Sequence, residues 1–125
     1  MGGIAMQQED LNPFRIDVEP LRDVVRVCPS GELDLATVDE LRQQVDDLIA
    51  AGFKRLVLDL SELTFLDSTG IHLAVELVQA SRSEGWQIAV IDGTPPVRRA
   101  FELTGLRGVM PFVERRNVRA GRLWR

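Results

Sequence analysis

The chain has 125 residues, of which 45% are hydrophobic and 27% charged, and a formal net charge of −4. That length fits one domain, and that balance excludes a disordered chain. The apolar runs reach about ten residues, far short of the ~20 that span a bilayer, which excludes an integral membrane protein.

The opening MGGIAMQQEDLNPF has no basic n-region and no apolar h-region, so no signal peptide is expected. Met1-Gly2 invites a myristoylation reading, but Met6 stands where that signal needs Ser or Thr. Met6 is also a candidate start residue. Residues 1–11 are expected to be a flexible N-terminus. FRIDVE (14–19) alternates apolar and polar residues, as a half-buried strand does. VVRVC (24–28) is a second, β-branched run, and the residues around Asp23 turn the chain between the two, predicting a hairpin at a sheet edge. Pro29-Ser30-Gly31 is expected to end that strand. Cys28 is the only cysteine, so neither an intrachain disulfide nor a cysteine metal cluster can form. It reads as a small buried hydrophobe, at home in a reducing cytoplasm.

Residues 36–51 predict an amphipathic helix. Val38, Leu41, Val45, Leu48 and Ile49 share one face, and Asp39, Glu40, Gln43, Asp46 and Asp47 line the other. Thr37 is a candidate N-cap and Gly52 a C-terminal stop. RLVLDL (55–60) has the nearly continuous apolar character of a buried parallel strand. Phe65-Leu66-Asp67-Ser68-Thr69-Gly70 then leads into a second helix, from about Thr69 to Arg82, closed by Gly85. WQIAVI (86–91) is the next buried strand. Thr94-Pro95-Pro96 opens a third helix, with proline in the first turn, that stops at Gly105. Val109–Val113 predicts a last strand, and Pro111 places it at an edge. The tail from Glu114 to Arg125 holds five arginines against one acid, a local charge of +4 that leaves −8 on residues 1–113. It reads as a basic tail or short helix, 114–125, solvated or frayed. The acidic body argues against nucleic acid and for a basic protein partner.

The order strand, strand, helix, strand, helix, strand, helix, strand implies an α/β layer fold with a mostly parallel sheet. In such folds, sites gather beyond the carboxyl ends of the strands, which is where Ser68 falls. Catalysis is not indicated. A serine hydrolase needs a Gly-x-Ser-x-Gly elbow and a separate histidine, whereas the only histidine, His72, lies four residues after Ser68 on the same helix. Asp67-Ser68-Thr69-Gly70 resembles the Asp-Thr-Gly of aspartic proteases but has one extra residue and no second copy. A receiver-type phosphoacceptor at Asp59 lacks the acidic pair and the later lysine that such a site requires. No phosphate-binding loop, dinucleotide fingerprint or metal cluster is present, and no cofactor is expected. By spacing alone, Ser68 is a helix N-cap. Its alternative is a switch, because a phosphate there adds about −1.5 to −2 charges at a helix mouth that tolerates them.

Three ordered segments resemble the STAS domains, in particular bacterial anti-sigma factor antagonists. These are Gly31-Glu32-Leu33-Asp34; Leu58-Asp59-Leu60-Ser61 leading to Phe65–Gly70; and Pro96-Val97-Arg98-Arg99 running on to Leu103-Thr104-Gly105-Leu106. The resemblance implies a STAS domain over residues 12–113, with a mixed, mostly parallel sheet, an N-terminal β-hairpin and helices packed on it. It implies a cytoplasmic protein that is not an enzyme. Such a protein binds a kinase-type anti-sigma factor, frees a sigma factor, is released by phosphorylation and is reset by a serine phosphatase. Ser68 matches the phosphoacceptor, with Thr69 as second choice. Glu32, Asp34, Asp67, Ser68, Thr69, Gly70 and His72 are the partner-binding residues expected on this resemblance. For Glu32 and Asp34, turn and cap work before the first helix is the competing role. His72 departs from the family, which has glycine there. An imidazole fills that space, or reaches toward a phosphate on Ser68 when protonated, or is simply a half-exposed helix residue. STAS domains also serve as unswitched subunits of transport or sensory assemblies, and there Ser68 remains only a cap.

Overall fold

The computed structural model describes residues 13–124. The readings of Met1-Gly2, Met6 and a flexible segment over residues 1–11 lie outside the described residues. Strand β1 (Arg15–Pro20) and strand β2 (Val25–Leu33) form the expected hairpin, antiparallel with Arg15 opposite Ser30 and Pro20 opposite Val25. The turn closes through Leu21 N–H donating to Val24 O at 2.7 Å.

β2 does not end at Pro29-Ser30-Gly31 but runs through them to Leu33. It changes partner on the way. Its first part pairs parallel with β3 (Arg55–Asp59) over Val25–Val27, and its last part pairs parallel with β4 (Leu63–Leu66) over Gly31–Leu33. Pro29 falls between these two ladders, so its missing N–H interrupts neither. Gly31 marks the change with a bulge and a φ of +92°, and a Cβ there would stand 2.9 Å from Pro13 O, so only glycine suits it.

Helix α1 (Val38–Ala50) turns Val38, Leu41 and Val45 inward, as its periodicity requires. Helix α2 (Ser68–Glu84) ends in the left-handed Gly85, φ 80°. Strand β5 (Gln87–Ile91) pairs parallel with β3 from Arg55–Gln87 to Asp59–Ile91. Helix α3 (Pro95–Thr104) starts on proline and stops at Gly105. The last strand is shorter than expected. Arg107–Val109 makes one 3-10 turn, Pro111 follows, and only Phe112–Val113 (β6) pairs with β5, at the edge. A short helix α4 (Arg115–Arg119) is the last regular element of the described chain.

The strands lie in the order β1-β2-β3-β5-β6, with β4 branching from β2. Because strand side chains alternate, one face of the sheet puts Val25, Val27, Leu56, Leu58, Ile88 and Val90 into a single core with α1, α2 and α3. Phe101 of α3 meets Phe112 edge to face at 5.6 Å. Arg26, Cys28 and Asp59 take the alternate positions. Cys28 is buried, and that burial pushes its thiol up to about 11, so it packs as a hydrophobe rather than reacting.

Candidate functional site

β4 was not expected as a strand, and it builds the site. Leu63-Thr64-Phe65-Leu66 is too short and too interrupted by Thr64 to announce itself, yet in register Phe65 lies opposite Glu32 and Leu66 opposite Leu33. Thr64 Oγ1 donates to Gly31 O at 3.1 Å. The pairing carries the chain straight from β4 into α2, so Asp67 and Ser68 emerge beside the loop that leaves β2. Leu66 is buried and anchors this corner. Phe65, its neighbour, is 47% exposed.

Helix α2 is capped by Asp67, not Ser68. Asp67 has an extended backbone, and its Oδ1 accepts from the Gly70 N–H at 3.1 Å and from the Thr69 hydroxyl at 2.7 Å. Partial burial pushes this carboxyl up. Hydrogen bonds from the Thr69 hydroxyl and from the backbone N–H groups of Gly70, Thr69 and Leu35 outweigh it and hold the group below the usual carboxylate range. The Leu35 contact ties the β2–α1 loop to the mouth of α2, as does Asp67 N–H donating to Leu33 O at 3.3 Å.

Ser68 therefore occupies the first helical position with its side chain exposed, and its hydroxyl has no hydrogen-bond partner among the described residues. Thr69 is half-buried and its hydroxyl is committed to Asp67. Gly70 is buried: a Cβ there would lie 2.5 Å from Leu66 Cδ1 and 3.0 Å from Leu33 O. It lets the helix pack closely on β2 and β4 and offers no side chain to a partner. His72 is exposed one turn along α2.

Asp34 does turn work. Its Oδ1 accepts from Ala36 N–H at 2.9 Å, and its own N–H donates to Thr37 Oγ1 at 3.0 Å. Thr37 precedes α1, but its hydroxyl donates to Glu32 O at 2.8 Å instead of capping the helix. Glu32 and Asp34 are half-exposed on this rim. Leu35, whose backbone N–H bonds Asp67, is 76% exposed in the same loop, a residue that sequence reasoning passed over. The only signal for it was an apolar side chain lodged between Asp34 and Ala36, outside the helical period.

Asp59 is fully buried, which removes it as a phosphoacceptor. Its carboxylate accepts from Arg26 Nε at 2.9 Å, from Ser61 N–H at 2.9 Å and from Ser61 Oγ at 2.6 Å. Burial pushes it up, and the bonds from Ser61 and Arg26 more than offset this and hold it low. The basic tail forms a short helix whose arginines are exposed, and one of them reaches the body. Arg115 Nη2 donates to Ser61 Oγ at 2.7 Å and lies 3.7 Å from Asp59 Oδ2. Among the described residues there is no cluster fit to hold a metal ion, and no helix is long and apolar enough to cross a membrane.

The profile described as the STAS domain matches residues 15–118. An anti-sigma F factor antagonist of Paenibacillus polymyxa is 36% identical over 102 residues, which cover 81% of this chain and 87% of that protein. The crystal structure of an anti-sigma factor antagonist from Mycobacterium paratuberculosis superposes with a TM-score of 0.67 at 30% identity, over 80% of this chain and 85% of that one. The phosphorylated form of the Bacillus cell fate determinant SpoIIAA shares the fold, with a TM-score of 0.63 at 21% identity over 87% and 98% of the two chains.

Proposed function

The chain belongs to the STAS-domain family, and on that footing we propose that it is an anti-sigma factor antagonist switched by phosphorylation of Ser68. In this reading the unphosphorylated chain binds a kinase-type anti-sigma factor in the cytoplasm and so frees a sigma factor. The kinase brings ATP and Mg²⁺, phosphorylates Ser68 and lets go, and a serine phosphatase resets the switch.

One observation carries the reading: Ser68 presents an exposed hydroxyl without an intramolecular partner on a helix that Asp67 already caps. A serine needed as the cap would have to give up a structural bond to be modified, and Ser68 does not. A phosphate there sits at the positive end of α2, so the fold tolerates it. The same phosphate stands beside the Asp67 carboxylate, so a partner seated on this corner meets a dense negative cluster. Leu35 and Phe65 supply apolar contact, and Glu32, Asp34 and Asp67 supply carboxylates suited to a basic partner face. His72 lies exposed on the same helix face as Ser68 and marks the edge of the surface.

A pull-down from native cell extract, with and without phosphatase treatment, tests this. The phosphatase-treated bait should retain an anti-sigma kinase and the phosphorylated bait should not. Capture of transporter or sensory subunits regardless of phosphatase would overturn the proposal in favour of an unswitched subunit.

A further inference from the structure

A cleft of about 920 Å³ opens on the sheet face away from the three-helix core, between the β1–β2 turn and the C-terminal segment. None of its walls comes from the Ser68 corner. Five guanidinium groups line it, those of Arg22, Arg26, Arg55, Arg115 and Arg119, against the carboxylates of Glu19 and Asp23. In a chain of net charge −4 this lining holds more guanidinium than carboxylate groups, and an excess of one sign in a concave wall draws the opposite charge.

The arginines divide by role. Arg26 and Arg115 are held by the buried Asp59, at 2.8 Å and 3.7 Å, and form a fixed floor. Arg55 lies over the Trp124 ring, 5.9 Å from its centroid, and is bonded to Gln87. Arg22 and Arg119 are exposed and have no ion-pair partner among the described residues. Leu21, Val24 and Leu123 complete the wall beside Trp124. A cleft of this volume lined by apolar side chains and a few charged groups has the attributes of a small-molecule site.

We propose that this cleft binds a small organic anion: a flat or apolar skeleton packed against Trp124 and Leu123, with a phosphate, sulfonate or carboxylate group between Arg22 and Arg119. Guanidinium forks suit those oxyanions because two parallel N–H groups can donate to two oxygens at once.

Titration of the full chain with anilinonaphthalene sulfonate, an aromatic sulfonate dye, tests the site. The dye should saturate one site per chain and be displaced by inorganic pyrophosphate. The Arg22→Gln/Arg119→Gln double variant should weaken dye binding about tenfold or more. Both side chains are exposed and free of ion pairs, so its denaturation midpoint should match the wild type. Trp124→Leu, which keeps the wall apolar, should also weaken the dye. The uncharged analogue phenylnaphthylamine should be indifferent to the arginine changes. Equal dye binding by the double variant and the wild type would overturn the proposal. So would displacement by polyglutamate but not by pyrophosphate, which would assign the cleft to an acidic protein segment.

Discussion

Asp67 takes the capping bond that Ser68 would otherwise be expected to make: its Oδ1 lies 3.1 Å from the Gly70 nitrogen, and Ser68 begins the helix with its hydroxyl unengaged. The two adjacent residues thus separate the cap from the proposed phosphoacceptor, and substitutions should reveal the division. Asp67→Ala should cost about 1–2 kcal/mol of stability in urea unfolding. Ser68→Ala should stay within about 0.5 kcal/mol of the wild type. Equal losses would mean that Ser68 shares the cap.

Gly70 is small because of its surroundings rather than its backbone angles. A Cβ would press on the Leu66 side chain, which can move, and on the Leu33 carbonyl at 3.0 Å, which can move little. Gly70→Ala should therefore lower stability by about 1–3 kcal/mol, read as a fall in the thermal midpoint. An unchanged midpoint would show that the β2–β4 corner is looser than described.

Asp59 and Asp67 both have carboxyls held below their ordinary value of 3.8. A depressed folded value means that the unfolded chain binds protons more readily, so the stabilisation is complete above 3.8 and drains away as pH falls through the lower folded values. Asp59→Asn leaves Arg26 facing a neutral group at a buried site and should cost about 3 kcal/mol at neutral pH. The gap from the wild type should narrow as pH falls below 3.8. A gap independent of pH would show that the cost is packing rather than charge.

Leu35 and Phe65 are exposed apolar side chains flanking Ser68, and their removal should leave the fold alone. The Leu35→Ser/Phe65→Ser pair should retain wild-type unfolding, yet weaken the complex with the proposed anti-sigma kinase partner by about tenfold or more in calorimetric titration. Undiminished affinity would move the partner surface elsewhere.

Much of this was legible beforehand because local and global signals agreed. The valines and leucines of α1 recur at helical spacing, Gly85 and Gly105 stop their helices, and Pro111 marks the edge. What was hidden depended on partners distant in sequence. Pro29 reads as a strand end until β2 is seen to exchange β3 for β4 around it. Leu63–Leu66 reads as a loop until Gly31–Leu33 lies beside it. The choice between Asp67 and Ser68 as the cap lay within the usual uncertainty of a helix end, and only the carboxylate's bonds decided it. The contact of Arg115 with Ser61 and Asp59 was hidden for the same reason, since nothing in the tail's own sequence names those partners.

The most direct test of the switch is site mapping by mass spectrometry after incubation with the cognate anti-sigma kinase and ATP. The account predicts one phosphate per chain, on Ser68, and none on the Ser68→Ala variant. Modification of Ser68→Ala at the wild-type rate, or a phosphate placed on Thr69 in the wild-type chain, would contradict it.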